Sequence, residues 1–86
     1  MTAIYTVLIE KGPSSYGAYV PDLPGCVAVG KTPEEVERLI REAIEFHIEG
    51  MLADREVVPE PATECRQVAV DMKKIAESAR TQVRPS

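Results

Sequence analysis

Asp22 is the acid held in the most constrained backbone of this chain, between Pro21 and the run Leu23-Pro24-Gly25. A fixed carboxylate is what metal-dependent nuclease chemistry needs, and Glu10 or Glu45 would have to join Asp22 on the same ion. Their sequence spacing does not bring them together. An Asp in a tight turn commonly bonds to nearby backbone amides, so Asp22 is expected to cap its own turn, with partner contact as the alternative. His47 is the sole histidine, spaced three after Ile44 and four before Met51, and is expected to pack at a helix boundary without binding metal. Ser14, Ser15 and Tyr16 lie beside no base. Gly12, Gly17, Gly25 and Gly30 are scattered, without a phosphate-loop pattern. Lys73, Lys74, Arg80 and Arg84 are too sparse for an independent nucleic-acid module. The residues therefore predict no catalytic set, no metal and no cofactor.

The elements around these residues are more legible than their chemistry. Residues 3–9, AIYTVLI, are rich in β-branched and aromatic types and predict a central strand apolar on both faces. A turn at residues 10–15 leads to a second strand over 16–20, where Gly17 could mark a bulge or a close approach. The signature turn, Pro21, Asp22, Leu23, Pro24 and Gly25, is rigid. Its two prolines fix φ, and Gly25 can adopt a φ denied to side chains. A third strand over 26–30 completes an antiparallel meander.

Thr32-Pro33-Glu34-Glu35 then combines an N-cap Thr32, a proline at the first helical position and Glu35 at N3, which starts a helix running to about residue 52. Val36, Leu39, Ile40, Ala43, Ile44, His47, Ile48, Met51 and Leu52 form its apolar stripe. The pairs Glu34–Arg38, Glu37–Arg41 and Arg38–Glu42 are expected on its outer surface. Gly50 predicts either the helix end or something packed close to the backbone. Pro59 and Pro61 mark a linker. Residues 65–70, CRQVAV, alternate and predict a fourth strand, and Asp71 could cap a short last helix before a tail at 81–86. The fold class expected is α+β, with one domain over residues 1–80.

Eighty-six residues make one modest core, at a size where association often adds stability. No stretch is long and apolar enough to span a membrane, and the N-terminus has no basic, cleavable leader, so a cytoplasmic location is expected. Cys26 and Cys65 lack metal-ligand spacing and are expected as reduced thiols. The charge of −4 is uneven: residues 34–64 hold ten acids against three bases. Such a surface disfavours a phosphate backbone and suits a basic protein. Because only a short terminal helix remains to cover the second sheet face, self-association or a stable partner is expected.

The stretch PDLPGCVAVGKTPEEVERLIREAIEFHIEG, residues 21–50, resembles the HicB-like antitoxin family, or UPF0150 group. The likeness rests on the strand ending at Tyr19-Val20, the turn from Pro21 to Cys26, Gly30, the helix start at Thr32 to Glu35, Ala43-Ile44 and the later Pro59-Glu60-Pro61. It covers about residues 3–70. The resemblance implies a β-β-β-α-β domain of partial RNase H-like type without an intact nuclease site. It also implies binding and neutralisation of a HicA toxin, a small basic mRNA-cleaving protein. The toxin's catalytic histidine belongs to that partner, so His47 inherits no role. Pro21, Asp22, Leu23, Pro24 and Gly25 would be the family's turn, in a structural or interaction role. Longer members add a C-terminal DNA-binding domain, for which the sixteen residues after Val70 are too few, so direct DNA binding is not expected here. A homodimer or homotetramer is expected. The competing readings are a weak metal-dependent nuclease and a stand-alone oligomeric binding domain.

Overall fold

The computed structural model describes residues 2–81; the part of the expected tail at 82–86 lies outside the described residues. The element order is β1 (Leu8–Lys11), β2 (Tyr16–Tyr19), β3 (Val27–Gly30), α1 (Pro33–Ala53) and α2 (Met72–Thr81). The three strands form one antiparallel sheet in the order β1-β2-β3.

The register decides which side chains share a face. Ile9 stands opposite Ala18, and Ala18 opposite Ala28. This row faces the core, where Ala18 is buried with Val20, Leu23, Cys26, Val36 and Ile40. The neighbouring rows, Leu8–Tyr19–Val27 and Glu10–Gly17–Val29, point the other way. The pairing runs straight through Gly17, and a Cβ placed there would meet open space, so it marks neither a bulge nor a close approach.

β1 begins later than its composition predicts, and it is an edge strand. A strand extends only as far as its partner. β2 ends at Tyr19, after which the chain turns back on itself: Leu23 N–H donates to the Val20 carbonyl at 3.0 Å and Cys26 N–H to the Leu23 carbonyl at 3.0 Å. Residues 2–7 thus have no ladder partner, though Tyr5 and Val7 still pack against the core.

The start of α1 follows its local chemistry. Thr32 Oγ1 accepts a hydrogen bond from Glu35 N–H at 3.0 Å, and Glu35 Oε1 accepts from Lys31 N–H at 3.4 Å. Gly30 lets strand and helix meet closely, since a Cβ there would lie 2.9 Å from Val36 N. Val36, Ile40, Ala43, Ile44 and Ile48 supply the packed stripe. Of the three expected surface ion pairs, Arg38–Glu42 is the one closed among the described residues, at 3.5 Å.

The helix does not stop at Gly50, nor does anything pack there. It ends three residues on in a Schellman arrangement. Arg55 takes the left-handed conformation at φ 57°, its N–H donating to the Leu52 carbonyl at 3.1 Å and Glu56 N–H to the Met51 carbonyl at 2.8 Å.

The expected fourth strand is absent from the described residues. Residues 65–70 are irregular and exposed, so the order is β-β-β-α-α and the expected β-β-β-α-β pattern, with its partial RNase H-like description, is corrected at its last element. The energetics explain why. One face of CRQVAV carries only Val68 and Val70, which could supply about 1.5–3 kcal/mol each on full burial. Fixing six backbones costs at least about 1 kcal/mol each, so two valines do not hold the segment on the sheet. Beyond it, Asp71 Oδ1 accepts from Lys74 N–H at 3.1 Å and starts α2. Every residue from 64 to 79 is exposed. The molecule is accordingly drawn out to 57 Å with a radius of gyration of 18.5 Å, against about 12 Å for a compact chain of this length.

Candidate functional site

The turn is a clasp. Leu23 drives into the core and is 1% exposed, while Gly25, at φ 86°, gives the chain the left-handed step that returns it to β3. Between them Asp22 faces a segment forty residues away. Its Oδ2 accepts from Ala62 N–H at 3.1 Å and from Thr63 N–H at 3.0 Å, and its Oδ1 accepts from Thr63 Oγ1 at 2.9 Å. Thr6 Oγ1 donates to the Thr63 carbonyl at 2.9 Å, and Tyr5 donates through its hydroxyl to the Pro59 carbonyl. Three stretches distant in sequence, residues 5–6, 21–25 and 59–63, are tied at one place. The amide of Thr63, then that of Ala62, holds the Asp22 carboxyl below the usual carboxylate range by bonding its charged form, against a smaller opposing effect of desolvation.

Asp22 therefore does not cap its own turn, as its local sequence predicts; it fastens the post-helix chain. Its acceptor atoms are engaged by backbone amides and a hydroxyl, which is the arrangement of a structural carboxylate. Glu10 lies on the outer row of the sheet, and Glu45 lines a groove between α1 and residues 2–9. No group of three or more His, Cys, Asp or Glu among the described residues could hold a metal ion. His47 is half-buried on α1. Both cysteines are free thiols; Cys26 is buried, which pushes its pKa up, and Cys65 is exposed. The partners of Asp22 were not readable in advance, because Ala62 contributes only an amide and Thr63 follows a proline linker with no distinguishing pattern.

Among the described residues, the body of the domain leaves surfaces open to other molecules. The outer sheet face exposes Val27 at 63% and Val29 at 65%, around a shallow concavity of about 560 Å³ floored by Gly17. The groove beside α1, about 700 Å³, is lined by Ile4, Val7, Ile9 and Ile44, with Glu37, Arg41 and Glu45 also contributing. The solvent side of α1 exposes Glu34, Glu37, Glu42 and Glu49. No helix among the described residues is long and apolar enough to cross a membrane.

The fold is a small α+β scaffold whose most constrained acid is spent on holding the chain together. Comparison with known proteins carries this further. The family described as HicB_like antitoxin of bacterial toxin-antitoxin system matches residues 5–81. A 14.9 kDa protein from the rep-hol intergenic region of Haemophilus phage HP1 is 48% identical over 56 residues, which span 65% of this chain and 42% of the phage protein. A UPF0150 protein of Synechocystis sp. is 46% identical over 56 residues, 64% of this chain and 71% of that protein. A UPF0150 protein of Thermoplasma acidophilum is 43% identical over 56 residues, 64% of this chain and 81% of that protein. The chain belongs to the HicB-like antitoxin family.

Proposed function

We propose that this chain binds and neutralises a small, basic, HicA-like mRNA-cleaving toxin, acting in the cytoplasm as a homodimer or homotetramer. The observation that carries this reading, beside family membership, is the row of exposed glutamates on α1: Glu34, Glu37, Glu42 and Glu49. Arg38 and Arg41 lie among them and Arg38 pairs with Glu42, so the surface is mixed but net acidic; a net acidic surface favours a basic partner over nucleic acid. In the signature turn, Asp22 and Leu23 fix the shape, and Pro24 and Gly25 are the residues exposed to a partner.

Co-expression of a tagged chain with the cognate toxin tests this reading. The two should co-purify in a fixed ratio at moderate salt, and Glu37→Lys with Glu42→Lys should weaken the complex at least tenfold while leaving the chain folded. Recovery of the chain without toxin, at any salt, would refute it. A second reading, a stand-alone oligomeric binding domain, is favoured by the uncovered apolar surfaces, and would be left standing by that refutation.

A further inference from the structure

We propose that α2 docks into the groove between α1 and residues 2–9 of a second copy, so that two chains exchange their C-terminal arms. The inference deepens the self-association in the reading above; Glu37 borders both surfaces, so its test uses Ile75, which lies outside the glutamate row.

Three observations converge on it. α2 is amphipathic: Met72, Ile75 and Ala79 recur at spacings of three and four, and Met72 and Ile75 are 68% and 49% exposed. A helix whose apolar side faces water is short of a partner, and ten residues are too few to hold a helix by propensity alone. The groove offers the complementary shape, an apolar channel of about 700 Å³ in which Ile4 is 81% exposed and Ile9 is 43% exposed. An amphipathic helix in an apolar groove is a recurrent mode of recognition.

Charge agrees with shape. The groove's charged residues are Glu37, Arg41 and Glu45, net acidic, and the polar side of α2 begins with Lys73 and Lys74. Laying the apolar side of α2 into the channel brings those lysines to a glutamate-bearing rim.

The occupant is a second copy because of how the arm leaves the body. Thr63 is anchored by Asp22 and Thr6. The eight residues 64–71 that follow are irregular and exposed, and α2 is not packed on its own sheet or on α1. Every chain carries both the helix and the groove, so one two-fold operation satisfies both copies at once, an isologous closure that leaves neither arm open.

The experiment uses the full chain in two cysteine variants, each in a Cys65→Ser background. One carries Ala76→Cys on α2 and the other, distinguished by an affinity tag, carries Ile4→Cys in the groove. After mixing, a short bis-maleimide should yield the tagged–untagged hybrid as the main product. Sedimentation should show a dimer for the parent chain, and Ile75→Asp should weaken it about 100-fold or more, since one buried isoleucine is lost on each side of the interface. Ile75 is exposed in the single chain, so this variant leaves the fold intact, as circular dichroism would verify. A dimer that Ile75→Asp does not weaken would overturn arm exchange while leaving self-association standing. A monomeric parent in which a chain carrying both cysteines cross-links only within itself would overturn it too, by showing that α2 covers its own groove. Toxin inhibition by Ile75→Asp, read separately, reports on the antitoxin reading alone.

Discussion

Alanine should act in opposite directions at Gly30 and Gly50. At Gly30, which is buried, the added Cβ would lie 2.9 Å from Val36 N, 3.1 Å from its Cα and 3.2 Å from its Cβ. The obstacle is backbone at the first turn of α1, and Val36 itself is fully buried, so there is no flexible side chain to give way. Overpacking of this kind costs about 1–3 kcal/mol. Stiffening the unfolded chain recovers about 0.4–1 kcal/mol. The mid-values leave a net loss of about 1.3 kcal/mol, which for a domain of this size lowers Tm by about 5–10 °C. At Gly50 the same methyl group enters open space on the exposed side of α1. There alanine should add about 1 kcal/mol through helix propensity and raise Tm by about 4–8 °C. Thermal melts at one fixed protein concentration, with urea midpoints as a second reading, measure both; fixing the concentration matters because association shifts Tm. A Gly30→Ala protein as stable as its parent would refute the close packing of β3 against the start of α1, and with it the reason given for that glycine.

The clasp predicts a pH signature. Because its bonds hold the Asp22 carboxyl below its ordinary value, their stabilisation is present above the unfolded pKa, near 3.8, and is lost as pH falls through the lower folded value. Asp22→Ala should therefore lower the urea midpoint at pH 7, and the deficit should shrink as pH falls below about 3.8; a deficit that does not change with pH would deny the carboxylate that role. Arg55→Gly should stabilise the chain by about 1 kcal/mol, since glycine adopts the left-handed conformation at the helix end without steric cost; a lower urea midpoint would contradict the Schellman reading. A maleimide should label Cys65 at once in the folded protein and Cys26 only on unfolding, checked by mass spectrometry of the modified peptides; prompt labelling of Cys26 would contradict its burial.

What the sequence made legible was local. Thr32, Pro33 and Glu35 start a helix through bonds spanning three or four residues, and the structure has those bonds. The stripe is likewise written in spacing from Val36 to Ile48, but its expected end at Leu52 is 62% exposed, because the sheet does not reach that far along the helix. Pro24 and Gly25 announce a shaped turn because their backbone limits act within one or two residues. What failed was everything set by a distant partner. β1 is shorter than the AIYTVLI pattern because β2 stops at Tyr19 and offers no backbone further on. The alternation in residues 65–70 describes how a strand would look, without saying whether two valines suffice to hold it. Asp22 looked like a local cap because nothing near it in sequence points to Thr63, forty-one positions on. The clasp, which gives the acid its use, was readable only in three dimensions.

Purified chain titrated against its cognate toxin, with cleavage of a fluorescent RNA as readout, tests the central claim most directly. Cleavage should fall to background at a fixed stoichiometric ratio, and inhibition should weaken as salt rises, because opposite charges bring the partners together. Undiminished cleavage at a large molar excess of folded chain would contradict an antitoxin role for this protein.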